Sequence, residues 1–162
     1  MSMFQATAYS GQRIKDYELL LKQLTALSED ETDALAILSN ASALLNQFLD
    51  NINWVGFYLW KNDELVLGPF QGLPACIRIE YGKGVCGTAI KEGSTQLVED
   101  VTAFPGHIAC DSASKSEVVV PLSVADEIYG VLDIDSPTMS RFDETDKVYL
   151  EKFARELEKL LQ

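Results

Sequence analysis

The chain has 162 residues, 47% of them hydrophobic and 23% charged. That length fits one domain, and the apolar fraction supplies a packed core rather than a disordered chain. Its 25 acidic against 13 basic residues leave a formal net charge of −12, which argues against nucleic acid or anionic membranes as partners. No apolar run approaches the roughly 18–20 residues of a membrane helix. Residues 1–21 lack the basic-then-apolar order of a secretory signal, so the expectation is a cytoplasmic protein.

Ile14, Tyr17, Leu20, Leu21 and Leu24 recur at helical spacing and predict an amphipathic helix over 12–27. Ser28 and Glu31 read as a capping box for a second helix over 31–49, with Leu35, Leu38, Ala41, Leu45, Phe48 and Leu49 as its apolar positions. The period then changes. The aromatic and β-branched run 54–60, a turn at 61–63 and the run 64–67 predict a hairpin. A third strand is expected over 75–79, and Gly82, Gly84 and Gly87 mark a loop into a short helix at 85–91. A brief strand at 96–98 precedes an irregular stretch over 99–115, a length that in a compact domain is often functional. Strands at 116–124 and 128–135 and a helix over 143–161 complete the chain, with Asp143, Glu144 and Asp146 in that helix's first turn, where its dipole favours negative charge. Helices at both ends of hairpin-linked strands predict an α+β domain: an antiparallel sheet of about six strands with the N- and C-terminal helices packed on one face.

Three cysteines, Cys76, Cys86 and Cys110, stand ten and twenty-four residues apart. This odd, small number does not describe a disulfide framework, and the close pairs of a zinc site are absent. Buried structural cysteine is the plain alternative. Cys86, in Gly84-Val85-Cys86-Gly87, and Cys110, in the run 106–112, have neighbours typical of turns, where a thiol is reachable. His107 is the sole histidine. Activation of the Cys110 thiol and a loop-ordering hydrogen bond account for it equally well, and it stays outside the catalytic set.

The run Val131-Leu132-Asp133-Ile134-Asp135 places Asp133 and Asp135 on one strand face with Val131 and Tyr129, opposite Leu132 and Ile134. Glu117, at the start of the preceding strand, adds a third carboxylate. Such groups on a sheet are commonly solvated. Enclosed together, they raise at least one carboxyl pKa and leave a general acid near neutral pH. A thiol and a protonated carboxyl facing one cavity make sulfoxide reduction possible, giving a thioether and a cysteine sulfenic acid that condenses with a second thiol.

The runs 53–58, 68–72, 82–87, 106–111 and 130–136 together resemble the free methionine-(R)-sulfoxide reductases, enzymes built on a GAF domain. The likeness extends from about residue 31 to the C-terminus. It divides the chain into an N-terminal helical extension, 1–30, and one GAF-like catalytic domain, 31–162. The resemblance implies that Cys110 attacks the sulfoxide sulfur, that Cys76 is the principal resolving partner, and that Cys86 is a pocket cysteine able to form an alternative disulfide. It implies that Glu117, Asp133 and Asp135 hold the zwitterionic substrate and polarise or protonate its oxygen, while Trp54 and Tyr58 wall the methyl and thioether end. Thioredoxin is the implied reductant, with no metal or organic cofactor, and the terminal helices offer a homodimer contact. Burying a free ammonium requires a carboxylate match, and a closed pocket of this kind excludes peptide-bound methionine sulfoxide. Two other functions compete: a GAF-type sensor with a signalling disulfide, and a hydrolase with a divalent metal on Asp133, Asp135 and Glu117. The latter leaves the cysteines unexplained.

Overall fold

The computed structural model describes residues 9–108 and 110–162. Residues 1–8 of the expected extension and Ala109 lie outside the described residues. The elements are α1 (Arg13–Leu27), α2 (Ala34–Phe48), β1 (Trp54–Lys61), β2 (Glu64–Gly72), β3 (Arg78–Glu80), α3 (Gly84–Glu92), β4 (Gln96–Val98), β5 (Ser116–Val124), β6 (Glu127–Ser136) and α4 (Glu144–Leu160). The strands form one antiparallel sheet in the order β3-β2-β1-β6-β5-β4. No helix among the described residues is long and apolar enough to cross a membrane.

Strand alternation sorts the sheet into two faces. Val55 and Phe57 of β1, Val118, Val120 and Leu122 of β5, and Leu132 and Ile134 of β6 form a core with Tyr17, Leu20 and Leu24 of α1, Leu38 and Leu45 of α2, and Leu150, Phe153 and Leu157 of α4. The terminal helices therefore share one face, as the sequence predicts. On the opposite face Trp54, Tyr58, Leu65, Val119 and Val131 pack against Val85, Cys86, Ala89 and Ile90 of α3. That second layer is smaller, and it encloses the polar groups described below.

Local chemistry explains where the elements begin and bend. The expected Ser28–Glu31 capping box does not form. Asp33 caps α2 by accepting from the Ala36 N–H at 3.0 Å, while the Glu31 carboxylate takes the N–H groups of Thr32 and Asp33. Three residues predicted as helix are thereby spent on the entry turn, because two acidic side chains satisfy the orphan donors in succession. A capping box does form at α4, between Asp143 and Asp146. Buried Asp146 also accepts from the Tyr17 hydroxyl at 2.6 Å and pairs with Arg13, tying α1 to the start of α4.

Strand β2 runs on to Gly72, past the predicted 64–67. The β1–β2 register shifts between Gly56 and Tyr58, which lets Gly68 and Pro69 pass through an irregularity where a missing N–H costs no ladder bond. Gly72 has φ 143, and a Cβ there would stand 2.6 Å from Trp54 Cδ1, so only glycine lets the indole lie flat against the strand. The third strand is Arg78–Glu80 rather than 75–79, since Cys76 is held elsewhere. Tyr129 also departs from expectation. The β5–β6 register shifts between Leu122 and Ser123, and Tyr129 packs against the helical core instead of sharing the face of Val131.

Phe153 is fully buried where α4 meets the sheet. Phe153→Ala is expected to cost about 3–5 kcal/mol, read as a lowered urea midpoint at unchanged m-value. A loss under about 1 kcal/mol would contradict this packing.

Candidate active site

Cross-strand register assembles the site. In one row Glu117 of β5 lies opposite Asp135 of β6, and Asp135 lies opposite Trp54 of β1. The next row is Val119, Asp133 and Gly56. Beyond it Val131 faces Tyr58. Because side chains two apart share a face, three carboxyls and two aromatic rings project into the space beneath α3. A Cβ at Gly56 would stand 2.3 Å from Phe70 Cβ, so glycine at this position lets β2 close onto β1 beside the site.

These residues line a cavity of about 510 Å³ including its mouth, with Cys86, Cys110, His107, Ile79, Lys83 and Ser114 also on its wall. Cys110 is half-buried in the loop after β4 and is disulfide-bonded to Cys76, with 5.4 Å between the Cα atoms. The sequence reading left the pairing to resemblance, and this pairing agrees with it. Cys86 is the free cysteine. It lies 4% exposed in the first turn of α3. The expectation that its glycine-rich neighbourhood makes it reachable is therefore overturned: those glycines let a helix start tightly against the sheet instead of forming an open turn.

Burial dominates the electrostatics. Glu117 and Asp133 are 7% and 5% exposed. The Glu117 carboxyl is pushed well above the ordinary carboxylate range by desolvation and then by the charges of Asp133 and Asp135. Asp135 is likewise pushed well up by burial and by Asp133. Asp133 also rises through burial, but hydrogen bonds from Glu117, Asp135 and Cys86 oppose the rise. The arrangement favours two neutral carboxyls donating to one carboxylate, Asp133. Burial, followed by the same acidic neighbours, also raises the Cys86 thiol and the Tyr58 phenol, so both stay protonated.

Hydrogen bonds fix the remaining walls. Trp54 Nε1 donates to the Leu73 carbonyl at 3.1 Å, and its ring stacks on Phe70 with centroids 5.1 Å apart. The Tyr58 hydroxyl donates to the Cys76 carbonyl at 2.9 Å, linking the aromatic wall to the disulfide segment. Asn53 Nδ2 donates to Asp111 and to Ser114 Oγ, both at 3.0 Å, and the Ser114 hydroxyl donates to Asp135 at 3.3 Å. The Cys110 loop is thus fastened to the carboxyl cluster. Buried Asp133 Oδ1, Asp135 Oδ1 and His107 Nδ1 have no hydrogen-bond partner. His107 faces the cavity, so the loop-ordering bond considered for it through this nitrogen does not form.

All of Trp54, Tyr58, Cys86, Cys110, Glu117, Asp133 and Asp135 meet at this cavity, with Cys76 held behind Cys110. Sequence reasoning missed Lys83, Ile79, Ile108 and Ser114 on its walls, and Phe70 behind Trp54. Lys83 is the N-cap of α3 and Ile108 covers Gly84, whose φ is 62. Only the glycine spacing 82, 84, 87 hinted at a helix start facing a ligand.

A disulfide beside buried carboxyls whose pKa values are raised, on a helix-covered sheet, marks an α+β domain with a candidate redox site. Residues 30–161 match the model of the GAF domain. The chain belongs to the GAF-domain family, and within it to the group of the free methionine-R-sulfoxide reductases. It is 60% identical to Protein YtsP of Bacillus subtilis over 98% of this chain and 99% of that one. It is 53% identical to the free methionine-R-sulfoxide reductase of Escherichia coli, over 90% of this chain and 88% of that one. The structure of free methionine-R-sulfoxide reductase from Neisseria meningitidis in complex with its substrate superposes with a TM-score of 0.90 at 47% identity, covering 96% of this chain and 93% of that one.

Because folding raises the Glu117 and Asp135 pKa values, the folded state binds more protons than the unfolded chain above about pH 4. Stability then falls as pH rises through the folded values. Glu117→Gln removes that cost while keeping a donor for Asp133. Its melting temperature at neutral pH is expected to rise, by about 2–4 °C per kcal/mol recovered. A fall at neutral pH would show that Glu117 is charged in the folded protein.

Proposed function

We propose that the protein reduces free L-methionine-(R)-sulfoxide to methionine through Cys110, with Cys76 as resolving thiol. The observation that supports this most directly is a Cys76–Cys110 disulfide whose Cys110 lines the same cavity as the carboxyls of Glu117, Asp133 and Asp135. In the reduced protein the Cys110 sulfur attacks the electrophilic sulfoxide sulfur. Glu117 or Asp135 donates a hydrogen bond or proton to the sulfoxide oxygen, making it a better acceptor of the electron pair. Methionine leaves as the thioether, and the oxygen remains on Cys110 as a sulfenic acid. The Cys76 thiol then attacks that sulfur, water departs, and the disulfide forms.

The same cavity supports selection of the free amino acid. Asp133, with an unpartnered oxygen, matches the substrate ammonium. Lys83 and the N-terminus of α3 stand at the wall where a carboxylate would be stabilised by charge and by free backbone N–H groups. Trp54 and Tyr58, stacked at 5.8 Å, receive the thioether and methyl group. A peptide-bound sulfoxide offers neither terminus. Thioredoxin is the proposed reductant for the disulfide, whose Cys110 side reaches the cavity wall.

The test is a thioredoxin-coupled assay with free methionine-(R)-sulfoxide, its (S) epimer and a blocked peptide sulfoxide. Turnover of the free (R) form alone is expected. Activity on none, with the disulfide still forming on oxidation, would overturn the reductase reading in favour of a redox sensor. In single-turnover form, Cys110→Ser is expected to yield no methionine, whereas Cys76→Ser yields one equivalent and then stalls with thioredoxin. Loss of the first turnover in Cys76→Ser would reverse the two roles.

A further inference from the structure

We propose that Cys86, Glu117 and Asp133 bind a single borderline divalent cation of the zinc type, and that this occupancy excludes the sulfoxide from the pocket. The donor atoms of these three buried side chains lie within 4.8 Å of one another. Small rotations close them onto an ion held at about 2.0–2.3 Å. The set combines one sulfur and two carboxylate oxygens, which suits zinc or cobalt rather than calcium or magnesium, whose sites require six or more oxygen ligands. Buried Asp133 Oδ1, which has no hydrogen-bond partner, supplies an acceptor already aimed into the site. All three side chains line the cavity beneath α3, which leaves the fourth position of a tetrahedral ion to a water.

Binding is a proton exchange without redox change. The cation forms bonds to the Cys86 sulfur and the Glu117 and Asp133 oxygens, the Cys86 thiol proton and the Glu117 carboxyl proton pass to solvent, and the ion's two positive charges offset all but one of the three negative charges so gathered. It needs neither Cys76 nor Cys110, so the disulfide form binds the ion as it stands. The cation would also occupy the oxygens of Glu117 and Asp133 proposed to receive the substrate ammonium and oxygen. Metal and sulfoxide would therefore compete. The competition rests on the functional reading above, whereas the binding does not.

The experiment uses cobalt(II) as the probe on the intact disulfide form, in which Cys86 is the free thiol. A near-ultraviolet thiolate-to-cobalt charge-transfer band that saturates at one equivalent is expected. Cys86→Ser should lose the band, and Asp133→Asn should weaken binding by at least about tenfold, with circular dichroism confirming that both variants are folded. Absence of the band in the unsubstituted protein, or unchanged affinity in Asp133→Asn, overturns the site. Addition of free methionine-(R)-sulfoxide should then bleach the band. A band that forms normally but resists saturating sulfoxide overturns the exclusion and places the failure in the functional reading, leaving the metal site intact.

Discussion

Three carboxyls held together on the covered face of a sheet set the terms for the rest of this molecule. Taking each charge out of water costs several kcal/mol, and the cost is met largely by keeping Glu117 and Asp135 protonated beside Asp133. The row register that brings Glu117, Asp135 and Trp54 abreast makes this arrangement unavoidable once β5, β6 and β1 pair. α3 seals it from above, and the Asn53–Asp111–Ser114 bonds draw the Cys110 loop down onto it. The result is a donor-rich, water-poor pocket beside a thiol pair, the setting in which the proposed attack on a sulfoxide is chemically reasonable.

The helical face supplies the stability that such a pocket consumes. α1, α2 and α4 bury a continuous apolar layer against β1, β5 and β6, and each fully buried aliphatic or aromatic side chain contributes about 1.5–3 kcal/mol. α1 is integral to that layer through Tyr17, Leu20 and Leu24. The Tyr17–Asp146–Arg13 contacts give its docking a direction that apolar packing alone would not. The two faces thus divide the labour. One carries the apolar mass, and the other tolerates polar groups because α3 and the long loop exclude water from them.

Much of this was legible in the sequence because its periodicities are strong. The three- and four-residue spacing of Leu20, Leu24, Leu38 and Leu45 and the alternation through Val131–Asp135 carry both layers and the shared face of Asp133 and Asp135. Errors arose where local hydrogen bonding competed with pattern. Asp33 rather than Ser28 begins α2 because its side chain reaches the Ala36 N–H. Tyr129 left its expected face because a register shift adds a residue that no alternation rule anticipates. Cys86 looked exposed by composition, yet the glycines around it permit close packing rather than an open turn. Lys83, Ile108 and Ser114 were invisible as wall residues, since their positions depend on how the loop folds back from a distant strand.

The central claim is that this pocket keeps carboxyl protons at neutral pH. Carbon-13 titration of the aspartate and glutamate side-chain carboxyls in the ligand-free disulfide form tests it most directly. Glu117 and Asp135 resonances that remain at their protonated shifts through neutral pH, while surface carboxyls titrate near about pH 4, are the predicted result. Titration of Glu117, Asp133 and Asp135 together in that ordinary range would contradict the account, leaving the cluster as a solvated acidic patch without a proton to give.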